Sequence, residues 1–199
     1  MVATVNVRQG HGGSDGSPTE SPGSGDADLR FHTADQYAPT DDTKPIPIPE
    51  SGYKYSYWVH IYLNITGGTF TKINNIRHYC DGDLSGWAIG TGGEVRRGNR
   101  DSGDHGCPMD SEYDLATGTP GDTGDEIEHA TNGHGYYNGQ TTKTADLESD
   151  TEASPATIDS TDHTVSGKCK AVVLQVKVAS DATRGTKAEE QFSWKYDEI

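Results

Sequence analysis

The chain has 199 residues, of which 31% are hydrophobic and 25 are glycine, and its formal net charge is -15. That length allows one large domain or two small ones with a thin core, and the acidic balance argues against nucleic-acid binding, which normally requires a basic surface. No apolar run is long enough to span a membrane, and the opening residues lack the regions of a signal peptide, so we expect a protein made in the cytoplasm that binds neither nucleic acid nor membrane.

The first fifty residues predict an extended N-terminal arm. Residues 2–8 alternate in the manner of a short strand. Residues 10–28 are rich in Gly, Ser, Pro and Asp, and they hold too few apolar groups to offset their ordering entropy in a core of their own. Residues 45–49, Pro-Ile-Pro-Ile-Pro, indicate polyproline-like chain. We therefore predict that residues 1–50 form an arm that is mobile or lies along a neighbouring subunit.

An aromatic-rich strand follows the arm. Over residues 53–64 the side chains alternate so that tyrosine and aliphatic residues share one face, while Trp58 and Tyr62 lie on the other. Residues 70–79 predict a second strand, and residues 87–89 together with Val95 indicate a weaker third. These strands predict that residues 51–199 form a β-sandwich domain.

A long polar stretch interrupts the strands. Residues 99–139 are dominated by Gly, Asp, Thr, Asn and His, with few apolar anchors and no hydrophobic period. Such a stretch indicates large loops between strands and no second core. We predict a loop insertion that projects outward from the sandwich.

The last thirty residues carry the clearest strand pattern. Residues 172–178 alternate with a period of two, which predicts a strand with one buried face, and residues 192–196 repeat the pattern. Residues 181–185 supply turn residues between them. A two-stranded ribbon is marginal in water by itself, so other strands must cover its apolar side. We therefore predict an all-β fold, an antiparallel β-sandwich of immunoglobulin-like or jelly-roll type with long loops.

Two His-x-Cys pairs are the strongest candidate for a metal site: His78 with Cys80, and His105 with Cys107. Two imidazoles and two thiolates make a complete tetrahedral zinc set, although most zinc modules use Cys-x-x-Cys spacing. The same residues also allow a Cys80–Cys107 disulfide that leaves Cys169 over, or three ordinary buried thiols. Zinc or a disulfide would act as a structural staple in a region that lacks apolar burial.

A second candidate site lies in the sequence Asp-Gly-Asp-Leu-Ser-Gly. Asp81, Asp83 and Ser85 fit the opening of a calcium loop, in which alternate oxygen ligands wrap the ion. The late acidic ligand is missing, because Gly92 stands where a bidentate glutamate would be expected. The alternative is a polar turn between strands.

Aromatic residues suggest a contact surface. Trp58, Tyr62, Tyr136 and Tyr137 are of the types that anchor cores and subunit interfaces, and they could also stack on sugars. We predict that the sandwich binds its neighbours through these residues. No pair of a catalytic base and an orienting group can be argued from the spacing, so we expect no enzymatic activity.

Four segments carry a family likeness. They are the Tyr/Trp-rich strand that continues into FTKINNI at residues 70–76, ATGTPGDTG at residues 116–124, VLQVKV at residues 173–178, and FSWKYDEI at residues 192–199. In this order they resemble small virion structural proteins of tailed double-stranded DNA viruses of bacteria and archaea, over residues 50 to 199. The last two strands also resemble the closing strands of immunoglobulin-like sandwiches.

The resemblance implies a non-enzymatic virion protein that decorates or stabilises the capsid, as a decoration or turret subunit, or that is associated with the tail. Its partners would be the major capsid protein or neighbouring head and tail subunits, and it would form a homo-oligomer with closed symmetry. A structural zinc or calcium ion is the only cofactor that the residues suggest. The alternative function is a glycan- or receptor-binding sandwich, which predicts exposed coplanar aromatic residues and calcium near Asp81 and Asp83.

Overall fold

The computed structural model describes residues 2–80, 83–185, 187 and 189–199. It confirms the predicted all-β class, because antiparallel strands form a β-sandwich. The strands are β1 (Ala3–Ser14), β2 (Ser17–Ser21), β3 (Tyr53–Tyr55), β4 (Val59–Gly68), β5 (Ile73–Cys80), β6 (Glu94–Gly98), β7 (Gly118–Thr119), β8 (Thr123–Gly124), β9 (Thr144–Asp146), β10 (Ala156–Asp159), β11 (Gly167–Lys168), β12 (Val172–Ala179) and β13 (Phe192–Glu198). Three single-turn 3-10 helices lie in the loops, at Ser85–Trp87, Gly135–Tyr137 and Leu147–Ser149. Within the described ranges no helix is long and apolar enough to cross a membrane.

Two sheets make up the sandwich. The large sheet has the strand order β2-β1-β4-β12-β6-β9, and β11 and β3 pair in addition with β4 and β12. The small sheet has the order β10-β5-β13, and β7 and β8 form a separate hairpin. The predicted ribbon of the last two strands is therefore wrong: β12 pairs with β3, β4 and β6, whereas β13 pairs with β5. A period of two predicts a strand but carries no information about its partner.

The first core fills the space between the two sheets. Val59 and Ile61 of β4 share a face with Leu174 and Val176 of β12, and all four pack in one cluster with Ile158 of β10. Full burial of an aliphatic side chain contributes roughly 1.5–3 kcal/mol. Burial of these side chains is therefore the main contribution to the packing of the small sheet against the large one.

The opposite face of the large sheet is also buried. Trp58, Tyr62 and Val173 lie on that face, and none of them is more than 2% exposed. Residues 105–137, which we call the loop layer, cover them with side chains such as Met109 and Ile127. The prediction that these loops project outward is wrong, because the central strands carry apolar side chains on both faces and the second face must also leave water.

The first fifty residues are built into the sandwich. β1 pairs with β4 from Ala3 to Gly10 and forms a hairpin with β2. The segment between β2 and β3 adds four side chains to the first core: Leu29, Phe31, Ile46 and Ile48. The predicted extended arm over residues 1–50 is thus not found, because β1 is a strand of the large sheet and the segment that follows β2 packs on the first core. Composition misled here because a glycine-rich strand is held by backbone hydrogen bonds to its neighbour, which do not depend on apolar side chains.

Asp35 connects β1 to the loop layer. Its burial predicts that the stability of the fold depends on pH. Its Oδ2 accepts hydrogen bonds from Gly12 N at 2.8 Å and Tyr113 Oη at 3.4 Å. Burial raises the pKa of Asp35 from 3.8 to about 6. Between these values the unfolded chain loses the proton first, so the carboxyl group costs stability as the pH rises through this window. We expect Asp35→Asn, which keeps the acceptor oxygen, to gain about 2 kcal/mol relative to the parent between pH 4 and pH 7.5.

Urea denaturation of both proteins at pH 4, 5.5 and 7.5 measures this difference. Tyr113→Phe removes the hydroxyl group, with its hydrogen bonds to Asp35 Oδ2 and Gly12 O, but keeps the Asp35 carboxyl group, and it is the control for lost hydrogen bonding. A stability difference between Asp35→Asn and the parent that stays constant over the three pH values would contradict the prediction.

Candidate functional site

The structure does not bring the predicted zinc ligands together. His78 and Cys80 lie on β5, where Cys80 belongs to the first core and its Sγ donates to Leu147 O at 3.3 Å. Cys107 packs on the other face of the large sheet, beside Val173, and its Sγ donates to Glu112 O at 3.0 Å. Cys80 and Cys107 thus lie on opposite faces of the large sheet, whereas His105 lies beside β10, where its backbone N donates to Thr157 O at 3.0 Å. Among the described residues no disulfide forms, so the Cys80–Cys107 bridge is not found and the three cysteines are buried thiols.

The two histidines of the predicted zinc set differ in their hydrogen bonding. His105 Nδ1 accepts a hydrogen bond from Arg100 N at 3.2 Å. His78 is fully buried against Trp194, with ring centroids 4.9 Å apart. Neither ring nitrogen of His78 has a hydrogen-bond partner in the described part of the chain. Burial lowers the pKa of His78 to about 3, with a further contribution from Arg97, so this imidazole is neutral at physiological pH.

The predicted calcium residues lie in a turn. The Oδ1 atom of Asp83 accepts from Ser85 N at 3.1 Å and from Ser85 Oγ at 2.5 Å, directly before the first 3-10 helix. Asp81 lies outside the described residues. The hydrogen bonds of Asp83 match the alternative of a polar turn, and the calcium site itself stays a prediction.

The predicted contact aromatics are mostly inside the molecule. Trp58 is 2% exposed, and Tyr62 and Tyr137 are completely buried. Trp58 Nε1 donates to Asp114 O at 2.9 Å, and Tyr137 Oη donates to His105 O at 2.9 Å. Of the four residues only Tyr136 is partly exposed. A subunit interface or a sugar platform at Trp58, Tyr62 and Tyr137 is therefore not available, because the loop layer covers these side chains.

A different group of ligand-type side chains lies beneath the loop layer. His60 of β4, Cys107 and His134 each offer one donor atom, and these atoms all lie within 4.8 Å of one another. A pair of backbone hydrogen bonds to Ala171, both 2.8 Å, holds Cys107 beside the large sheet. His134 precedes the 3-10 helix Gly135–Tyr137, whose Tyr136 N donates to its Nδ1 at 3.3 Å. We call these three residues the His-Cys cluster.

The His-Cys cluster is buried and uncharged at neutral pH. Its members are at most 1% exposed. Burial lowers the pKa of His60 well below the usual value and that of His134 to about 3. Burial also raises the pKa of the Cys107 thiol. The two imidazoles share one hydrogen bond, with Nε2 of His60 and Nε2 of His134 2.9 Å apart.

A second group combines Asp159, His163 and Cys169, whose donor atoms also lie within 4.8 Å of one another. Asp159 already accepts hydrogen bonds from His163 Nε2 at 2.9 Å and from the backbone amides of Lys170 and Thr161 at 3.0 Å each. Burial by itself would raise the pKa of Asp159, but these hydrogen bonds lower it. The carboxylate is thus satisfied by the protein, and this group is best understood as a structural link between β10 and the segment before β12.

Sequence reasoning missed His60 and His134. The only signal was that His60 falls on the same strand face as Trp58 and Tyr62, a face that was not expected to be buried by the loop layer. The partner of His60 lies 74 residues further along the chain. No local motif can indicate such a contact.

The free edge of the small sheet is the second feature that could serve a function. Within the described part of the chain, β13 pairs with β5 alone and its other edge has no strand partner. Beside it lies a groove of about 380 Å³ between the two sheets. Five apolar side chains of β1 and β13, all partly buried, contribute to its lining: Val5, Val7, Phe192, Trp194 and Tyr196. We call this feature the edge groove.

We compared the chain with known protein families, curated proteins and solved structures. No protein-family model, no curated protein and no solved structure matches it.

Proposed function

We propose that the chain is a non-catalytic structural subunit of a virus particle, a decoration or adaptor protein that binds its neighbours through the edge groove. The observation that carries this proposal is the unpaired edge of β13 beside an apolar groove. The family likeness of the sequence supplies the virion context. The buried aromatics that were predicted as contacts have no part in it.

An edge strand offers a row of backbone N–H and C=O groups that can pair with another strand. Extended segments bind such edges by strand addition, in which backbone hydrogen bonds give affinity and alternate side chains fill adjacent pockets. The edge groove supplies such a pocket, because Val7 of β1 and Trp194 of β13 lie along it with partly buried side chains. Such an edge fits an extended segment with an apolar residue at every other position, and we propose that this segment comes from a second copy of this chain.

The charges on β13 favour a specific partner over indiscriminate pairing. Lys195 contacts Glu152 at 3.6 Å, and Asp197 contacts Arg77 at 3.1 Å. Charged residues on an edge strand oppose aggregation with arbitrary strands. A partner segment must therefore match these charges as well as the apolar groove.

We expect the purified chain to be a homo-oligomer by light scattering coupled to size exclusion. Hydrogen–deuterium exchange at low and high protein concentration should show added protection at high concentration in β13 and in residues 5–7. Val7→Glu should weaken the oligomer, whereas Thr4→Glu, on the exposed side of β1, should leave it unchanged. A monomer at every concentration with unchanged exchange in β13 would overturn the proposal.

A further inference from the structure

We infer that the His-Cys cluster binds one copper(I) ion in three-coordinate geometry, through one imidazole nitrogen each of His60 and His134 and the thiolate of Cys107. The donors come from three distant parts of the chain, and their atoms already lie within 4.8 Å of one another. An ion at this position would join β4 to the loop layer. The inference concerns the folded chain itself and does not depend on the edge groove.

The donor set selects the class of metal. Two imidazoles and a thiolate suit zinc and copper, whereas calcium and magnesium require oxygen ligands. The group contains no carboxylate and only three ligand residues. Structural zinc is almost always four-coordinate, but soft thiolate ligands also select copper(I).

Burial favours the monovalent ion. The cluster members are at most 1% exposed, and an uncompensated charge in such a site carries a large desolvation cost. Copper(I) with one thiolate and two neutral imidazoles has no net charge. A zinc ion with the same ligands would leave one buried positive charge.

The distances require only a small rearrangement. Metal–nitrogen bonds of about 2.0–2.1 Å and a metal–sulfur bond of about 2.3 Å place trigonal donor atoms roughly 3.5–4 Å apart. The present separation of the two imidazole nitrogens is 2.9 Å, and they share a hydrogen bond. The ion replaces that hydrogen bond, and the two rings move apart by about half an ångström.

Binding releases one proton and transfers no electron. The S–H bond of Cys107 breaks, its hydrogen bond to Glu112 O is lost, an S–Cu bond forms, and the proton leaves to solvent while copper stays in the +1 state. The proton that His134 Nε2 donates to His60 Nε2 moves to Nδ1 of His134, which faces away from the ion, while His60 keeps its proton on Nδ1. At His134 this displaces the 3.3 Å contact from Tyr136 N, which lowers the affinity relative to a fully preorganised site.

The test is anaerobic titration of the full-length, metal-free protein with copper(I), in competition with a chromogenic copper(I) chelator. We expect one ion per chain, and a decrease in affinity of more than about 100-fold for Cys107→Ser, since removing a ligand should cost at least as much as removing an outer-shell partner. His134→Asn should have a similar effect, because asparagine can still accept the Tyr136 hydrogen bond but offers no imidazole. Cys169→Ser is the matched control, since Cys169 is another buried thiol in the alternative group, and it should bind copper as the parent does.

Two further measurements keep the test decisive. Thermal unfolding without metal verifies that each variant is folded, and copper(I) should raise the melting temperature of the parent and of Cys169→Ser but not of Cys107→Ser. Copper X-ray absorption should show one sulfur and two nitrogen ligands. Absence of binding by the folded parent, equal binding by parent and Cys107→Ser, or binding of zinc without copper(I) would each overturn the inference.

Discussion

Replacing Asp150 with alanine should lower the free energy of unfolding by about 3–5 kcal/mol, because the guanidinium of Arg97 would then be buried without its counter-charge. Both side chains are 6% exposed. Arg97 donates from two nitrogens to the Asp150 carboxylate, with Nη2 and Oδ1 3.0 Å apart. Since Arg97 lies on β6 and Asp150 O accepts from Cys80 N of β5, the pair links the two sheets. Urea denaturation of parent and variant measures the loss.

The matched control is Asp197→Ala. Asp197 pairs with Arg77 at 3.1 Å, but its side chain is 53% exposed, and exposed ion pairs contribute about 0–1 kcal/mol. The double variant Arg97→Met with Asp150→Leu should recover most of the loss, because no charge then remains buried. Equal losses for Asp150→Ala and Asp197→Ala would contradict the argument.

Replacing Gln175 with leucine should cost about 2–4 kcal/mol, because two buried backbone groups and one partly buried one would lose their partner. Gln175 is completely buried on the face of β12 that carries the loop layer. Its Nε2 donates to Ser56 O at 2.8 Å and Asp125 O at 2.7 Å, and its Oε1 accepts from Ile127 N at 2.9 Å. Leucine has a similar volume but can make none of these bonds.

The loss should concentrate in the loop layer. In hydrogen–deuterium exchange the amide of Ile127 and its neighbours should exchange faster in Gln175→Leu, while β5 should change little. Gln191→Leu, the same replacement at an exposed position, should leave stability within about 0.5 kcal/mol of the parent. Unchanged exchange around Ile127 would show that Gln175 is not the link between sheet and loop layer.

The strands themselves were largely predictable. The alternation over residues 53–64, 70–79, 172–178 and 192–196 corresponds to β3 and β4, β5, β12 and β13. Strand pairing was not, since β12 and β13 are neighbours in sequence but lie in different sheets. The sequence also did not predict that the glycine-rich residues 10–14 belong to strand β1, because the order of β1 depends on its pairing with β4.

The candidate sites show the same contrast. His78, Cys80, His105 and Cys107 attracted attention because each pair is local, yet a whole sheet separates the two cysteines. The His-Cys cluster forms only when the loop layer packs over His60. Residues 105–137 contain too few apolar residues for their sequence to predict that packing.

The amino-acid sequence by itself determined that this protein is built from β-strands, because alternation of side chains is a local property of each strand. Only the tertiary structure decided which strands pair, that the large sheet is covered on both faces, and which histidine and cysteine side chains meet. Those outcomes depend on contacts between residues far apart in the chain, where the burial of a shared apolar face decides among many arrangements that are locally equivalent.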